Sequence, residues 1–221
     1  MSARLIGIKA VLFDLDGTLV DTAPDLVAAL NLALKEHGLE EQSLESMREH
    51  ASHGSLALVK AAQPKLDEDT LSQLQQRLLH WYSEVNGKQA SLFDGIGQLL
   101  DELIGRDIKV GVITNKPARY TRPLLDALGL TDKLSCIISG DTCTRRKPDV
   151  APMYLGAMQS GIAVDAIAYL GDAERDLLAA KAAGMQGVTA LWGYISATDD
   201  PGIWPAVLQL VSPLSLLDHL K

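Results

Sequence analysis

Hydrophobic positions along the chain follow two rhythms. Compact apolar runs at about 9–14, 108–114, 135–139, 167–170 and 187–191 each stop in polar or turn residues. Between them lie stretches, at about 95–105, 118–128, 150–160 and 174–183, where apolar residues recur three or four apart. The runs predict buried strands and the stretches predict helices, two of which end at Gly129 and Gly184. Short apolar strands alternating with helices imply an α/β architecture, a doubly wound parallel sheet covered on both faces. Residues 207–211 add an edge strand to this expectation and 214–220 a last helix.

Residues 24–88 keep only the helical rhythm. Thr22-Ala23-Pro24-Asp25 is a helix start with proline inside the first turn, and Leu26, Leu30, Ala33 and Leu34 follow at helical spacing up to Gly38. Further helical patterns occupy about 43–51, 54–62 and 68–85, the last carrying Leu71, Leu74, Leu78 and Trp81. The expected organisation is an α/β core formed by 1–20 and 90–221, interrupted by a four-helix insertion at 21–89. Linkers near 19–23 and 87–93 would let the insertion open and close over the core.

Chemistry-bearing residues gather just after the strands, where ligands bind an open parallel sheet. The first run, Val11-Leu12-Phe13, stops in Asp14-Leu15-Asp16-Gly17-Thr18. Residues two apart in a strand share a face, so Asp14 and Asp16 can converge, and carboxylates buried at a strand end need a cation or hydrogen bonds. A solvated Asp-Gly turn is the plain alternative. After the second strand stand Thr114, Asn115 and Lys116; after the third, Arg145, Arg146, Lys147 and Pro148; after the fourth, Gly171-Asp172-Ala173-Glu174-Arg175-Asp176. Three gathered carboxylates would repel one another and take up protons unless a hard cation lay among them. Magnesium suits oxygen ligands of this kind. A carboxylate can also attack phosphorus, with Thr114, Asn115 and Lys147 binding the equatorial oxygens.

Composition narrows the partners. The 221 residues carry a formal net charge of −8, which argues against nucleic acid. Hydrophobic residues make up 47% and charged residues 22%, as in ordinary globular chains. Cys136 and Cys143 form neither a disulfide framework nor a metal-binding spacing. The Met-Ser-Ala-Arg start lacks a secretory h-region, and no apolar run approaches bilayer length. A cytoplasmic monomer or homodimer acting on a small molecule, away from membranes, is expected.

Four ordered motifs, Asp-x-Asp-Gly-Thr, Thr-Asn, Lys-Pro and Gly-Asp-x-x-x-Asp, resemble the haloacid dehalogenase superfamily of phosphohydrolases over essentially the whole chain. That resemblance implies a Rossmann-like core and makes the helical insertion similar to a C1 cap. The wording of 14–24 and of Thr114-Asn115-Lys116-Pro117 is similar to phosphoglycolate phosphatases. Trp192-Gly193-Tyr194-Ile195, with Asp200-Pro201 and Trp204, is similar to N-acetylmuramic acid 6-phosphate phosphatases. The resemblance implies that Asp14 is nucleophile and magnesium ligand. It makes Asp16 the general acid/base, with a metal-binding main-chain carbonyl. Thr114 and the Asn115 backbone would contact the phosphoryl group, Lys147 would neutralise nucleophile and phosphate, Asp172 would bind magnesium and Asp176 would stand behind. Ala173 departs from the pattern, since many relatives carry a polar residue there.

Other positions keep two readings. Lys116 braces its loop or steers phosphate. His53 and Gly54 open a helix that would read the rest of the substrate, or Ser52 simply caps it. For Arg145 and Arg146 the sequence leaves open whether one lies near the site or both are merely exposed. Asp21 serves as hinge, cap or ligand, and Trp192 and Tyr194 as packing beside the site. His37, His50, His80 and His219 read as surface positions on helices. A phosphomutase would keep every catalytic residue and differ in its cap. A dehalogenase proper needs neither Asp16 nor a metal. A phospho-receiver domain would not explain the insertion and favours two adjacent acids over Asp-Leu-Asp.

Overall fold

A computed structural model describes residues 4–220. Met1, Ser2 and Ala3, at the start examined for a leader, and Lys221 lie outside the described residues.

The elements follow one another as β1 (Ala10–Phe13), β2 (Val20–Asp21), α1 (Ala23–Glu36), α2 (Leu44–Met47), α3 (Ser55–Ala62), α4 (Glu68–Val85), β3 (Ser91–Leu92), α5 (Ile96–Gly105), β4 (Lys109–Ile113), α6 (Ala118–Ala127), β5 (Ile137–Ile138), α7 (Ala151–Ser160), β6 (Ile167–Gly171), α8 (Glu174–Ala183), β7 (Gln186–Ala190) and β8 (Leu208–Leu210). Six strands form one sheet in the order β5-β4-β1-β6-β7-β8, every neighbouring pair parallel. Alternation across the pleat sorts the strand residues. Val11 and Phe13 face an apolar layer with Leu99, Leu103 and Leu124, whereas Ala10 and Leu12 face Met153, Ala179 and Ala183. The sheet is thus covered on both faces, as its apolar strands require. The strand order reverses at β1, so the ends of β4, β1 and β6 lie side by side at the switch point.

The helical segment has its own apolar cluster, in which Leu30 and Leu34 of α1 meet Leu74 and Leu78 of α4 and Leu58 of α3. Tyr120 and Tyr194, from the other side of the chain, complete that cluster. At its base β2 and β3 pair antiparallel, Val20 opposite Leu92. The buried Asp25 carboxylate accepts from the main-chain nitrogens of Gly87, Gln89 and Ala90 at 2.7, 2.8 and 3.2 Å, tying the start of α1 to the returning linker. Three expectations need adjustment. The stretch at 43–51 forms only four α-helical residues before passing into a 3-10 helix over Arg48–His53. The last helix is 3-10, Pro213–His219, and ends where Leu220 bridges to Leu5. The β2–β3 ribbon was missed because two residues per strand are too few to show alternation. Among the described residues no helix is long and apolar enough to cross a membrane.

Candidate active site

Asp14 leaves β1 buried, with its Oδ1 accepting from the following Leu15 nitrogen at 2.7 Å. Beyond β6 come Asp172 and, one turn into α8, Asp176. Asp14, Asp172 and Asp176 are all buried, and one carboxylate oxygen from each lies within 4.8 Å of the others. Close approach is permitted by small residues. A Cβ on Gly17 (φ 83°) or Gly193 would overlap the Asp172 carboxyl group.

Lys147 arrives from the loop after β5 with its side chain 0% exposed. Its Nζ forms ion pairs with Asp14 at 3.0 Å and Asp176 at 2.7 Å. It also donates to the Ile113 carbonyl at 2.8 Å and to the Tyr169 hydroxyl at 2.7 Å. Tyr169 Oη donates in turn to the Ile113 carbonyl at 2.7 Å. Burial and the Asp176 charge push the Tyr169 phenol well up, so it remains a protonated donor. The lysine is therefore fixed by four oxygens, an arrangement that accommodates a buried ammonium.

Asp172 keeps full hydrogen bonding without a polar residue at 173. Its Oδ1 accepts from Thr18 Oγ1 at 3.0 Å, and its Oδ2 accepts from the Tyr194 nitrogen at 2.9 Å and Ser52 Oγ at 3.2 Å. Ala173 supplies only its nitrogen, to Asp176 Oδ2 at 3.2 Å. Burial, then the charges of Asp14 and Asp176, push the Asp172 carboxyl up to about 7; the same burial raises Asp176. The folded chain thus holds that proton to higher pH than the unfolded chain, so between about pH 4 and pH 7 the folded state binds more protons. Metal-free protein should lose stability as pH rises through this window, and a divalent cation should restore it. Denaturant melts at pH 5 and pH 8, with and without magnesium, check this.

Asp16 sits apart from the acid group. Its Oδ1 accepts from Lys116 Nζ at 2.8 Å and from Thr22 Oγ1 at 2.5 Å. Lys116 also lies 4.6 Å from the ring centroid of Tyr82 in α4. The Thr114 hydroxyl accepts from the Lys116 nitrogen at 3.1 Å. The Asn115 amide donates to the Lys147 carbonyl at 2.9 Å, while its Oδ1 is buried without a partner. Lys116 and the Asn115 amide therefore face their own loops and Asp16. Arg145 and Arg146 are both exposed, Arg145 by 78% and paired with Asp149. Charge runs of this kind are ordinarily solvated.

The helical segment reaches the site through its 3-10 turn. Ser52 bonds Asp172 rather than capping α3, which starts at Gly54 (φ 89°) without a side-chain cap. His53 lines a cavity of about 240 Å³ with Ser52, Asp172, Arg175 and Tyr194. Tyr194 Oη donates to Asp21 at 2.6 Å, and Arg48 pairs with the same carboxylate at 2.8 Å. Trp192 donates to the Thr18 carbonyl at 3.0 Å. Sequence reasoning overlooked Tyr169, hidden in an apolar run, and Arg175, whose guanidinium feels the charges of Asp176, Asp14 and Asp172. A tyrosine in a fully buried strand needs a partner for its hydroxyl, and that was the available signal for Tyr169.

Comparison with known proteins agrees with this fold. Residues 11–190 match the haloacid dehalogenase-like hydrolase family. The chain belongs to that family. It is 41% identical over 208 residues to a phosphoglycolate phosphatase of Xanthomonas campestris, covering 94% of each chain. It is 36% identical over 214 residues to an N-acetylmuramic acid 6-phosphate phosphatase of Pseudomonas aeruginosa, covering 96% of this chain and 95% of that one. A solved structure of a predicted phosphoglycolate phosphatase from Haemophilus somnus superposes with a TM-score of 0.84 at 26% identity, over 97% of this chain and 98% of the other. The protein is accordingly a hydrolase of phosphate esters.

Proposed function

We propose that the protein is a magnesium-dependent phosphoglycolate phosphatase that works through an aspartyl-phosphate on Asp14. The observation that carries this reading is the buried junction at the switch point, where Lys147 joins Asp14 to Asp176 and Asp172 stands beside them. The donor set fits a hard cation: all its ligand atoms are carboxylate oxygens, they converge, and burial with the Asp14 and Asp176 charges pushes Asp172 up. Asp14, Asp172 and the Asp16 carbonyl would hold the ion, with Asp176 behind through Lys147. When bound, magnesium neutralises the clustered acids and charge on the transferring phosphoryl group.

The chain's own residues supply the chemistry. An Asp14 carboxylate oxygen attacks phosphorus, and the bond to the leaving oxygen breaks as Asp16 delivers a proton to it. Asp16 then takes a proton from water, whose oxygen attacks the same phosphorus, releasing phosphate and restoring Asp14. Lys147 and the loop of Thr114 and Asn115 hold the phosphoryl oxygens. Lys116 and Thr22 orient Asp16. The segment 21–89 acts as a cap on the core of 1–20 and 90–221, hinged at the β2–β3 ribbon. Its closure through Ser52 and Arg48 excludes water from the first step. The free cysteines fit a reducing cytoplasm.

The Pseudomonas relative supports a second reading, an amino-sugar phosphate. The higher identity to the Xanthomonas phosphoglycolate phosphatase, 41% against 36%, favours the smaller ester. The test is a panel of p-nitrophenyl phosphate, phosphoglycolate and N-acetylmuramic acid 6-phosphate, with chelator-treated protein and added magnesium. Turnover only with the cation, and the highest kcat/KM on phosphoglycolate, is expected. No turnover overturns the mechanism, and a preference for the amino sugar overturns the substrate.

A further inference from the structure

Two basic side chains in the wall of the 240 Å³ cavity are left with unused nitrogens. Arg175 projects from the first turn of α8. Its Nη2 donates to the Ser52 carbonyl at 2.8 Å and to Ser52 Oγ at 3.4 Å. Among the described residues its Nε and Nη1 make no hydrogen bond and no carboxylate oxygen lies within ion-pair distance of it, while the charges of Asp176, Asp14 and Asp172 hold it cationic from further off. His53, opposite on the 3-10 turn, has no hydrogen bond on either ring nitrogen among the described residues. Burial, then the Arg175 charge, lower its pKa. The acidic groups of the same cavity are engaged or outside. Asp199 accepts from the nitrogen and hydroxyl of Ser196, Asp172 is saturated as described, and Glu174 is exposed at the rim.

The site acids favour the Arg175 guanidinium through space, yet most of its N–H donors stay unengaged and can take a further acceptor. Its planar N–H groups match a carboxylate better than any neutral group. Asp172 belongs both to the cavity and to the acid group, so a short tail on a phosphoryl group beside Asp14 reaches this wall. We propose that Arg175, with His53 beside it, reads a carboxylate on the non-reacting part of a compact phosphate ester and thereby sets substrate choice. The proposal rests on the phosphatase reading above and adds to it the group that is recognised and the side chain that recognises it. Arg175 is then a specificity residue, distinct from a strut that merely holds Ser52.

The experiment compares kcat/KM for phosphoglycolate and for 2-hydroxyethyl phosphate, which has a hydroxyl in place of the carboxylate. The proteins are the full chain, Arg175→Gln, Arg175→Lys and Ser52→Ala, with p-nitrophenyl phosphate as a check on folding. Wild type should prefer phosphoglycolate. Arg175→Gln should lose about 10- to 100-fold of that preference, mainly through KM, as expected for one charged hydrogen-bonding group. Arg175→Lys, which keeps the charge but not the fork, should show an intermediate preference and carries the test if the glutamine variant does not fold. Ser52→Ala should lower both esters by the same factor. Equal losses on both esters in the Arg175 variants, or a preference lost equally in Ser52→Ala, overturns the proposal. Wild-type turnover of p-nitrophenyl phosphate without any preference between the two esters also overturns it while leaving the phosphatase reading standing. Absence of all turnover removes that reading itself.

Discussion

An Asp14→Asn protein should lose turnover of every phosphate ester by about 10⁴-fold or more, the scale seen when a nucleophile is removed. The amide is nearly isosteric but carries no anionic oxygen to attack phosphorus. Folding should not suffer, because Lys147 retains its ion pair with Asp176 at 2.7 Å and its bonds to Ile113 and Tyr169. The Asp14 charge is also one of the causes that push Asp172 up. Removing it should bring the Asp172 carboxyl down toward its ordinary range and leave the metal-free variant at least as stable as wild type at pH 8. The paired measurements are steady-state turnover and a denaturant melt. An acid-quenched phosphoprotein, labile to hydroxylamine as an acyl phosphate is, should form in wild type and be absent from the variant. A near-normal rate in the variant would remove Asp14 as nucleophile.

How far the sequence revealed this site depends on the range of the interactions involved. The alternation that places Val11 and Phe13 on one face and Leu12 on the other is local, and so were the strand ends that deliver Asp14, Thr114, Lys147 and Asp172. The meeting of Asp14, Lys147 and Asp172 is in line with one general rule about parallel sheets. The rule could not say what each polar atom touches. Lys116 follows the strand it was expected to follow, yet its ammonium binds Asp16 under the ring of Tyr82, a helix residue 34 positions earlier. Capping was one of two readings of Ser52 because capping is local, whereas its bond to Asp172 spans 120 residues. Tyr169 is polar at a single atom inside a fully buried strand, and hydrophobic patterning cannot register that atom. The departure at Ala173 looked like a gap in the bonding of Asp172. Thr18, Ser52 and the Tyr194 nitrogen fill it from three distant segments.

Lys147→Met is expected to damage stability and activity together. Breaking a buried ion pair by removing one partner typically costs about 3–5 kcal/mol, since the remaining charges stay buried without compensation. Here two carboxylates, Asp14 and Asp176, would be stranded beside Asp172. Both would hold protons to higher pH than in the unfolded chain. The stability deficit should therefore grow as pH rises through the carboxylate range and shrink in acid, where those groups are neutral. Denaturant melts at pH 4.5 and pH 8 read that sign directly. Magnesium should recover part of the loss at pH 8, because the stranded acids are its ligands and their neighbours. Turnover should fall by about 10³-fold even in the magnesium-loaded protein, as for loss of one preorganised group that stabilises developing charge. Tyr169→Phe isolates positioning from charge: the ammonium stays, and the Ile113 carbonyl still receives Lys147 at 2.8 Å, so only the orienting hydroxyl is lost. Its effect should be about tenfold on kcat, with little change in stability between the two pH values. A methionine variant as stable as wild type at pH 8 would mean that the three acids share protons without the lysine, and the charge balance assigned to this site would be wrong.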